Sequence, residues 1–413
     1  MRKSTKIIVN TSKIYKNKTI VGLHDGDGTH TIRVLHRINN NIGWTVLSSF
    51  GQSTKNVDVL EPVQATLGGC MTSYVDNKGR KSSRLDVNFN TPAGATWLKI
   101  LKRYKPRVPG KRRDYLIAEK VSTFAKTRTL PGLDNICKNN NLRSDKVGNV
   151  AALILTYKMT NESQRDPSSV QRKKVKTFYY WIQHLKPTVQ EFKYGKILAR
   201  NLLAAIELEE NQLRYSLTQN KCKLSNDYIV GYFIADGSLT ISIDLKAPFK
   251  NFSAEPEFTV KECAYSKDIL QAFLYKFGGG SVISDSKRDA YAFYKLTGWG
   301  RNLELIVPIF SRYALPKSRQ VQFKAFSKAC HMAVKGQHLT RSGFERFLKI
   351  VWPMCDDGIH RETPEHVMLA NAQKYFDHQE ARATLRTSYH SMLRKKYVTS
   401  KGNIRNVPWK PKL

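Results

Sequence analysis

The chain's 413 residues allow two or three domains, and a hydrophobic content of 41% is enough to give each a core. Its 69 Lys and Arg against 33 Asp and Glu leave a formal charge of +36, which repels itself in a compact chain and calls for a dense polyanion, nucleic acid ahead of an anionic membrane surface. Six cysteines without a CxxC pair exclude a zinc knuckle or a disulfide framework and read as reduced, mostly buried thiols; no apolar run approaches the roughly 20 residues that span a bilayer.

The opening MRKSTKIIVNTSKIYK is basic but lacks an apolar stretch followed by a small-residue cleavage site, so no secretory signal is expected. It leads into IVGLHDGDG at 20–28, which sits at the end of an apolar stretch with helical spacing. Strand-like alternation follows, clearest in RLDVNF, where Leu85, Val87 and Phe89 face one side and Arg84, Asp86 and Asn88 the other. Helical segments come next: WLKILKRY at 97–104 and then RDYLIAEKVSTFAK. Residues 150–223 form a basic connector whose stretch SSVQRKKVKTFYYWIQHLK starts polar and ends aromatic, so it is expected to be partly ordered; Phe178, Tyr179, Tyr180 and Trp181 are assigned to a small core joining the halves.

The pattern then restarts. IVGYFIADG at 229–237 shares five of nine positions with the first nonapeptide at an offset of 209, and SLTISIDLK repeats the alternation, with Leu239, Ile241, Ile243 and Leu245 opposite Thr240, Ser242, Asp244 and Lys246. The helix DILQAFLYKF is followed by Gly278-Gly279-Gly280, read as a turn and matching Leu67-Gly68-Gly69; IVPIFSRY at 306–313 matches WLKILKRY. A helix is predicted in RQVQFKAFSKACHMAV, then GQHLTRSG at 336–343, a polar loop with Cys355, Asp356, Asp357 and His360, and a basic tail. The chain thus divides into a first half-domain (1–149), the connector (150–223), a second half-domain (224–350) and a basic extension (351–413). The fold class is α+β: two pseudo-symmetric units of helix, hairpin, helix, hairpin and helices with antiparallel sheets, a monomer with internal two-fold symmetry.

In each nonapeptide small residues recur four apart, Gly22 with Gly26 and Gly231 with Ala235, giving each helix a smooth strip along which two backbones can approach closely. Asp27 and Asp236 then fall at helix ends before Gly28 and Gly237, where glycine suits a left-handed stop. An acid against the negative end of the dipole costs about 0.3–1 kcal/mol, and two such acids at one seam are unfavourable unless a cation joins them; a divalent metal with oxygen ligands is the expected occupant.

These two nonapeptides, with GQHLTRSG, resemble the motifs of monomeric, two-motif LAGLIDADG homing endonucleases. The resemblance implies packed motif helices, saddle-shaped sheets in the major groove of double-stranded DNA, and site-specific double-strand cleavage at a long pseudo-palindromic target. Asp27 and Asp236 would bind Mg2+, or Mn2+ in its place, with the carbonyls of Gly26 and Ala235 nearby. Gln52 and Glu262 match the polar residue that orders active-site water, and Lys317 the basic residue that assists transition-state charge; its first-unit counterpart, Lys111, stands three residues late. Asp25 is expected to face solvent or a cap, and His24 to be packed or hydrogen-bonded. Base readout falls to Arg33, Arg37, Arg84, Asp86 and Asn88 in the first unit and Thr240, Ser242, Asp244 and Lys246 in the second. The family also implies an intron-encoded protein of an organelle. The rival reading is an intron RNA maturase, alone or combined with cleavage, with the FYYW aromatics as stacking platforms; a DNA-binding factor without catalysis would have no need of the two acids.

Overall fold

The computed structural model describes residues 15–37, 41–75, 79, 81–159, 167–245, 252–284, 290–354 and 363–381. Lys246, the Cys355–His360 loop and the basic tail from 382 onward lie outside them. The chain divides into two compact units: Met1–Ala235 with Glu262–Ala272 and Asp285–Tyr291, and Asp236–Lys261 with Phe273–Ser284 and Ala292–Leu413.

In the first unit, α1 (Asn17–Asp27) runs directly into β1 (Gly28–Arg37), which pairs with β2 (Asn41–Ser53). A 3-10 turn and α2 (Glu61–Leu67) lead to β3 (Cys70–Val75) and β4 (Lys81–Asn88), giving an antiparallel sheet of order β1-β2-β4-β3. The alternation of RLDVNF holds: Leu85, Val87 and Phe89 are fully buried, and Arg84, Asp86 and Asn88 are half-buried. Behind the sheet, α3 (Pro92–Arg103) begins where Thr91 accepts a hydrogen bond from the Gly94 amide at 3.3 Å, and it places Trp97 and Leu101 against the strands.

A helical layer completes this unit: α4 (Pro109–Thr127), α5 (Leu133–Asn140), α6 (Ser144–Tyr157), α7 (Pro167–Leu185), α8 (Val189–Thr218) and α9 (Asn226–Asp236). The connector is therefore largely helical. α6 runs through position 150, and the 30 residues of α8 start at a reciprocal capping box between Thr188 and Glu191. Small residues let these helices close up: a Cβ on Gly148 would lie 2.5 Å from the Phe124 ring, and one on Gly195 2.6 Å from Val150. The FYYW segment is not the expected core. Trp181 is buried, but Tyr179 and Tyr180 are 59% and 52% exposed, because successive residues of a helix point in different directions and only one faces the sheet. The Trp181 ring packs tilted against His36 of β1 with centroids 4.5 Å apart, and Tyr180 Oη lies 2.7 Å from His36 Nε2.

The second unit repeats the sheet. β5 (Gly237–Asp244), β6 (Ser253–Cys263), β7 (Ser281–Ser284) and β8 (Tyr291–Thr297) take the order β5-β6-β8-β7, and α10 (Asp268–Phe277) precedes the glycine turn, where Gly278 and Gly280 have φ of 61° and 95°. The counterpart of α3 is broken. α11 (Trp299–Arg301) and α12 (Val307–Phe310) flank a π-turn at Asn302–Ile306, as expected where Pro308 cannot donate into the helix ladder. α13 (Lys317–Val334) backs β5, with Gln322 Nε2 donating to the Leu239 carbonyl at 3.1 Å. The GQHLTRSG stretch is structural: Thr340 accepts from the Gly343 amide to cap α14 (Arg341–Val351), and His338 is buried beside Trp299 and Phe347. Part of the assigned extension packs as well, since Met368, Ala372 and Phe376 of α15 (Glu365–Ala381) join Leu245, Phe344 and Leu348 in one cluster. Of the cysteines, Cys137, Cys222 and Cys330 are buried, Cys263 is intermediate, and Cys70 is exposed on β3. Among the described residues no helix is long and apolar enough to cross a membrane.

Candidate active site and nucleic-acid interface

The helix pair α1 and α9 meets backbone to backbone. A Cβ on Gly22 would lie 2.2 Å from the Tyr228 carbonyl oxygen and 3.0 Å from the Tyr232 amide; one on Gly231 would lie 1.9 Å from the Thr19 carbonyl oxygen and 2.9 Å from the Leu23 amide. Each contact maps onto the other through the 209-residue offset of the repeat, so the interface is isologous, as between two copies related by a two-fold axis. The smooth strip works through Gly22 and Gly231, both buried; Gly26 and Ala235, one turn on, are half-exposed at the open end.

Asp27 and Gly28 close α1, but not as a left-handed stop. Gly28 is extended, with φ −77° and ψ 158°, and starts β1 without a break. Glycine is needed there for room: a Cβ would lie 2.2 Å from the His24 ring. The chain leaves the helix straight into the strand, and Asp27 is left half-exposed at the junction.

Three of the predicted first-unit residues gather at this point. Gln52, on β2, donates from its side-chain amide to Asp27 Oδ2, and Lys111 donates its ammonium to the Gly28 carbonyl. Lys111 stands three residues late in sequence, yet it reaches the site from the third residue of α4. Behind it lie two buried histidines. His24 Nε2 is 2.9 Å from Ser48 Oγ, which accepts from Trp97 Nε1 at 2.9 Å, and the His24 and His30 rings pack tilted with centroids 4.5 Å apart. Burial, with the neighbouring Lys111 charge, pushes His30 down to about 3, and burial first and then His30 and Lys111 hold His24 well below its usual range. Both rings are neutral packing groups.

Asp25 is fully buried, and of its two expected settings the cap is the one found. Its Oδ2 accepts from the Arg107 amide at 2.6 Å and the Val108 amide at 3.3 Å, ahead of α4, and from Tyr228 Oη at 2.7 Å on α9. One carboxylate thus ties the motif helix to its partner helix and to the helix that carries Lys111. Burial raises its pKa to about 6 against these stabilising hydrogen bonds. A folded value above the unfolded 3.8 means ionisation works against folding, so stability is lost as pH rises from about 4 to about 6. At about 1.4 kcal/mol per unit the loss is about 3 kcal/mol. The stability of Asp25→Asn relative to wild type should therefore improve by about that amount between pH 4 and pH 7 in denaturant titrations; a gap that does not change with pH would contradict the assignment.

The predicted residues of the second sequence repeat are arranged differently. Asp236 is half-exposed at the end of α9, and Lys317 is exposed as the first residue of α13. Glu262 is buried and its carboxylate is taken up by the protein: Tyr232 Oη donates to Oε2 at 2.6 Å and the Cys263 amide to Oε1 at 2.8 Å. Among the described residues no three His, Cys, Asp or Glu side chains gather as a metal cage. The donors at the Asp27 end are instead a carboxylate and helix-end carbonyls, all hard oxygens that suit Mg2+ but need further ligands from elsewhere.

The strand faces opposite the cores carry the readout candidates. On the first sheet, register places Arg33 with Thr45, and Thr31 with Leu47 and Asn88; Thr29 with Ser49, Asp86 and Cys70; and Arg84 with Gly51 and Thr72 on one face. Arg84 is tethered there, its Nε 2.6 Å from Asp86 Oδ1 and its Nη2 2.7 Å from Ser49 Oγ. Asn88 Oδ1 accepts from the Asn90 amide at 2.9 Å, so half of its side chain holds a turn; Arg37 ends β1. On the second sheet Thr240, Ser242 and Asp244 share a face with Glu255, Glu257, Thr259, Phe293 and Lys295, and Lys295 pairs with Glu257 at 3.1 Å. The members on β2, β3, β6 and β8 were missed in the sequence, although YAFYKLT and EFTVKEC carry the same period-two signal.

Two sheets of equal strand order, each fed directly by a motif helix, decide the fold. The chain has the two-domain LAGLIDADG fold. The LAGLIDADG endonuclease family profile matches residues 229–330, most of the second repeat. Among solved structures, the LAGLIDADG homing endonuclease I-GzeII in complex with its DNA target superimposes with a TM-score of 0.58 at 15% identity, over 83% of this chain and 99% of that one. I-LtrWI bound to target DNA gives 0.56 at 15% identity over 83% and 98%, and I-SmaMI bound to uncleaved DNA with calcium 0.55 at 15% over 82% and 98%. Comparison with curated protein sequences gives no match. At such identities the LAGLIDADG likeness fixes the architecture, and the chemistry has to be read from this chain's own side chains.

Proposed function

We propose that the protein is a site-specific double-strand DNA endonuclease that hydrolyses phosphodiesters with Mg2+. The observation that carries this is the gathering of Asp27, Gln52 and Lys111 at the end of a motif helix whose backbone is locked against its repeat. Mg2+ held by Asp27 and Asp236, with the Gly26 and Ala235 carbonyls, would supply Lewis-acid activation of the phosphodiester and of the attacking water. Gln52 orients the Asp27 carboxylate and offers its amide to water, and Lys111 places a positive charge where the phosphate gains negative charge. The open sheet faces take the DNA. Arg33 and Arg84 suit guanine edges and Asn88 adenine, while exposed lysines bind phosphate. The neighbours' DNA-bound state and the formal charge of +36 both support this reading. It carries with it a monomer encoded in an intron and working in an organelle.

A second reading, binding to intron RNA, is favoured by the exposure of Tyr179 and Tyr180, which offer stacking faces that a core would have hidden.

Metal dependence is checked by chelation. EDTA should abolish cleavage of a target duplex and leave binding intact, and magnesium should restore cleavage. Cutting that persists in excess chelator would remove the divalent ion from the reaction.

A further inference from the structure

Lys111, Arg112 and Arg113 are three successive cations in the first turns of α4, where the positive end of the helix dipole disfavours each of them. Two are neutralised by the connector helix α8. Glu209 Oε1 accepts from Arg112 Nη1 at 2.8 Å and from Lys105 Nζ at 2.7 Å. Arg113 lies 3.4 Å from Glu210 and 3.5 Å from Glu207. Glu210, only 3% exposed, also accepts from Tyr265 Oη at 2.6 Å and Arg214 Nη2 at 2.8 Å. Lys111 alone of the three has no carboxylate drawn to it in this cluster and reaches instead to the Gly28 carbonyl.

Geometry makes these facts one device. Successive residues of a helix are set about 100° apart, so fixing the directions of Arg112 and Arg113 fixes the rotation of α4 about its axis and with it the direction of Lys111. The Arg112 guanidinium is locked at both ends, with Nε donating to the Pro106 carbonyl at 2.8 Å and Nη1 held by Glu209. Burial raises the Glu209 carboxyl, but the Lys105 and Arg112 hydrogen bonds outweigh it and keep the group ionised. Glu210 is bound into a larger network that reaches Asp268, and its removal would strand the half-buried Arg113 and Arg214. Glu209 is the member that can be altered with the fold kept, since its side chain is 30% exposed.

We propose that Glu209 of the connector helix is a positioning residue for Lys111: its ion pairs with Arg112 and Lys105 set α4 so that the Lys111 ammonium lies at the Gly28 carbonyl beside Asp27. The effect on catalysis rests on the endonuclease reading; the positioning does not. The connector is then a working part of the first half-site as well as a link between repeats.

The test uses the full-length protein as Glu209→Gln, Glu209→Asp, Lys111→Met and the Glu209→Gln/Lys111→Met double variant. Competitive acetylation, read by mass spectrometry, should show Lys111 several-fold more reactive in Glu209→Gln, with Lys18 and Lys317 unchanged. The cleavage rate at saturating DNA should fall about ten- to a hundredfold with KM unchanged, as expected for a misplaced group. Glu209→Asp should lie between wild type and Glu209→Gln in both readouts, and it carries the test if Glu209→Gln does not fold. In the Lys111→Met background, Glu209→Gln should cost nothing further. An unchanged Lys111 reactivity in a folded variant, or the same loss of rate with Lys111 already removed, would overturn the proposal. If wild type cuts no DNA, the endonuclease reading falls while the acetylation result still decides the positioning.

Discussion

Asp27→Asn is expected to abolish double-strand cleavage while leaving DNA affinity within about threefold of wild type, because the proposed phosphate and base contacts are on the sheet faces and not at the helix end. The substitution keeps the shape of the side chain and removes its charge. The oxygen that accepts from Gln52 survives as an amide carbonyl, so the local hydrogen bond can persist while the anionic metal ligand is lost. Several kcal/mol of charge stabilisation disappear with it, or about a thousandfold in rate at 1.4 kcal/mol per decade. Asp236→Asn should behave likewise. The measurement is a strand-resolved cleavage assay beside an equilibrium binding titration. A folded Asp27→Asn protein cutting both strands at the wild-type rate would remove Asp27 from the chemistry.

Gly231→Ala should destabilise the protein by about 3 kcal/mol or more, an unusually large cost for one methyl group. The new Cβ would fall 1.9 Å from the Thr19 carbonyl oxygen, a backbone atom that no change of rotamer can move aside. The two helices would have to separate along the whole seam, which also stretches the Tyr228–Asp25 hydrogen bond. Gly22→Ala should cost a similar amount, since its contact with Tyr228 is the symmetric equivalent. The two changes should not add: once one has parted the helices, the second finds room already made. Thermal and denaturant unfolding of the two single variants and the double variant check this. A Gly231→Ala protein with unchanged stability would show that the backbones do not touch.

The duplication was legible because it is written twice, in a nonapeptide, in glycine turns and in alternating strands held at a nearly constant offset. Sequence periodicity also placed the core faces of β4 and β5 correctly. What stayed hidden depends on contacts distant in sequence. Asp25 looked like a polar intrusion in an apolar helix, and only the fold brings the Arg107 and Val108 amides and the Tyr228 hydroxyl to it. Lys111 looked displaced because its alignment counts residues, whereas its reach is set by the rotation of α4. Gly28 was read for its backbone freedom and turned out to be needed for the space its missing side chain leaves to His24. The FYYW aromatics were assigned to a core on composition alone, which cannot tell which face of α7 meets the sheet.

The most direct test is a cleavage selection: purified wild type and the Asp27→Asn/Asp236→Asn double variant, each incubated with magnesium and a library of randomised and intron-insertion-site duplexes, with the cut ends sequenced. Specific double-strand cuts by wild type alone are the predicted result and would define the target. No cutting at any sequence by wild type, or equal cutting by the double variant, would contradict the account.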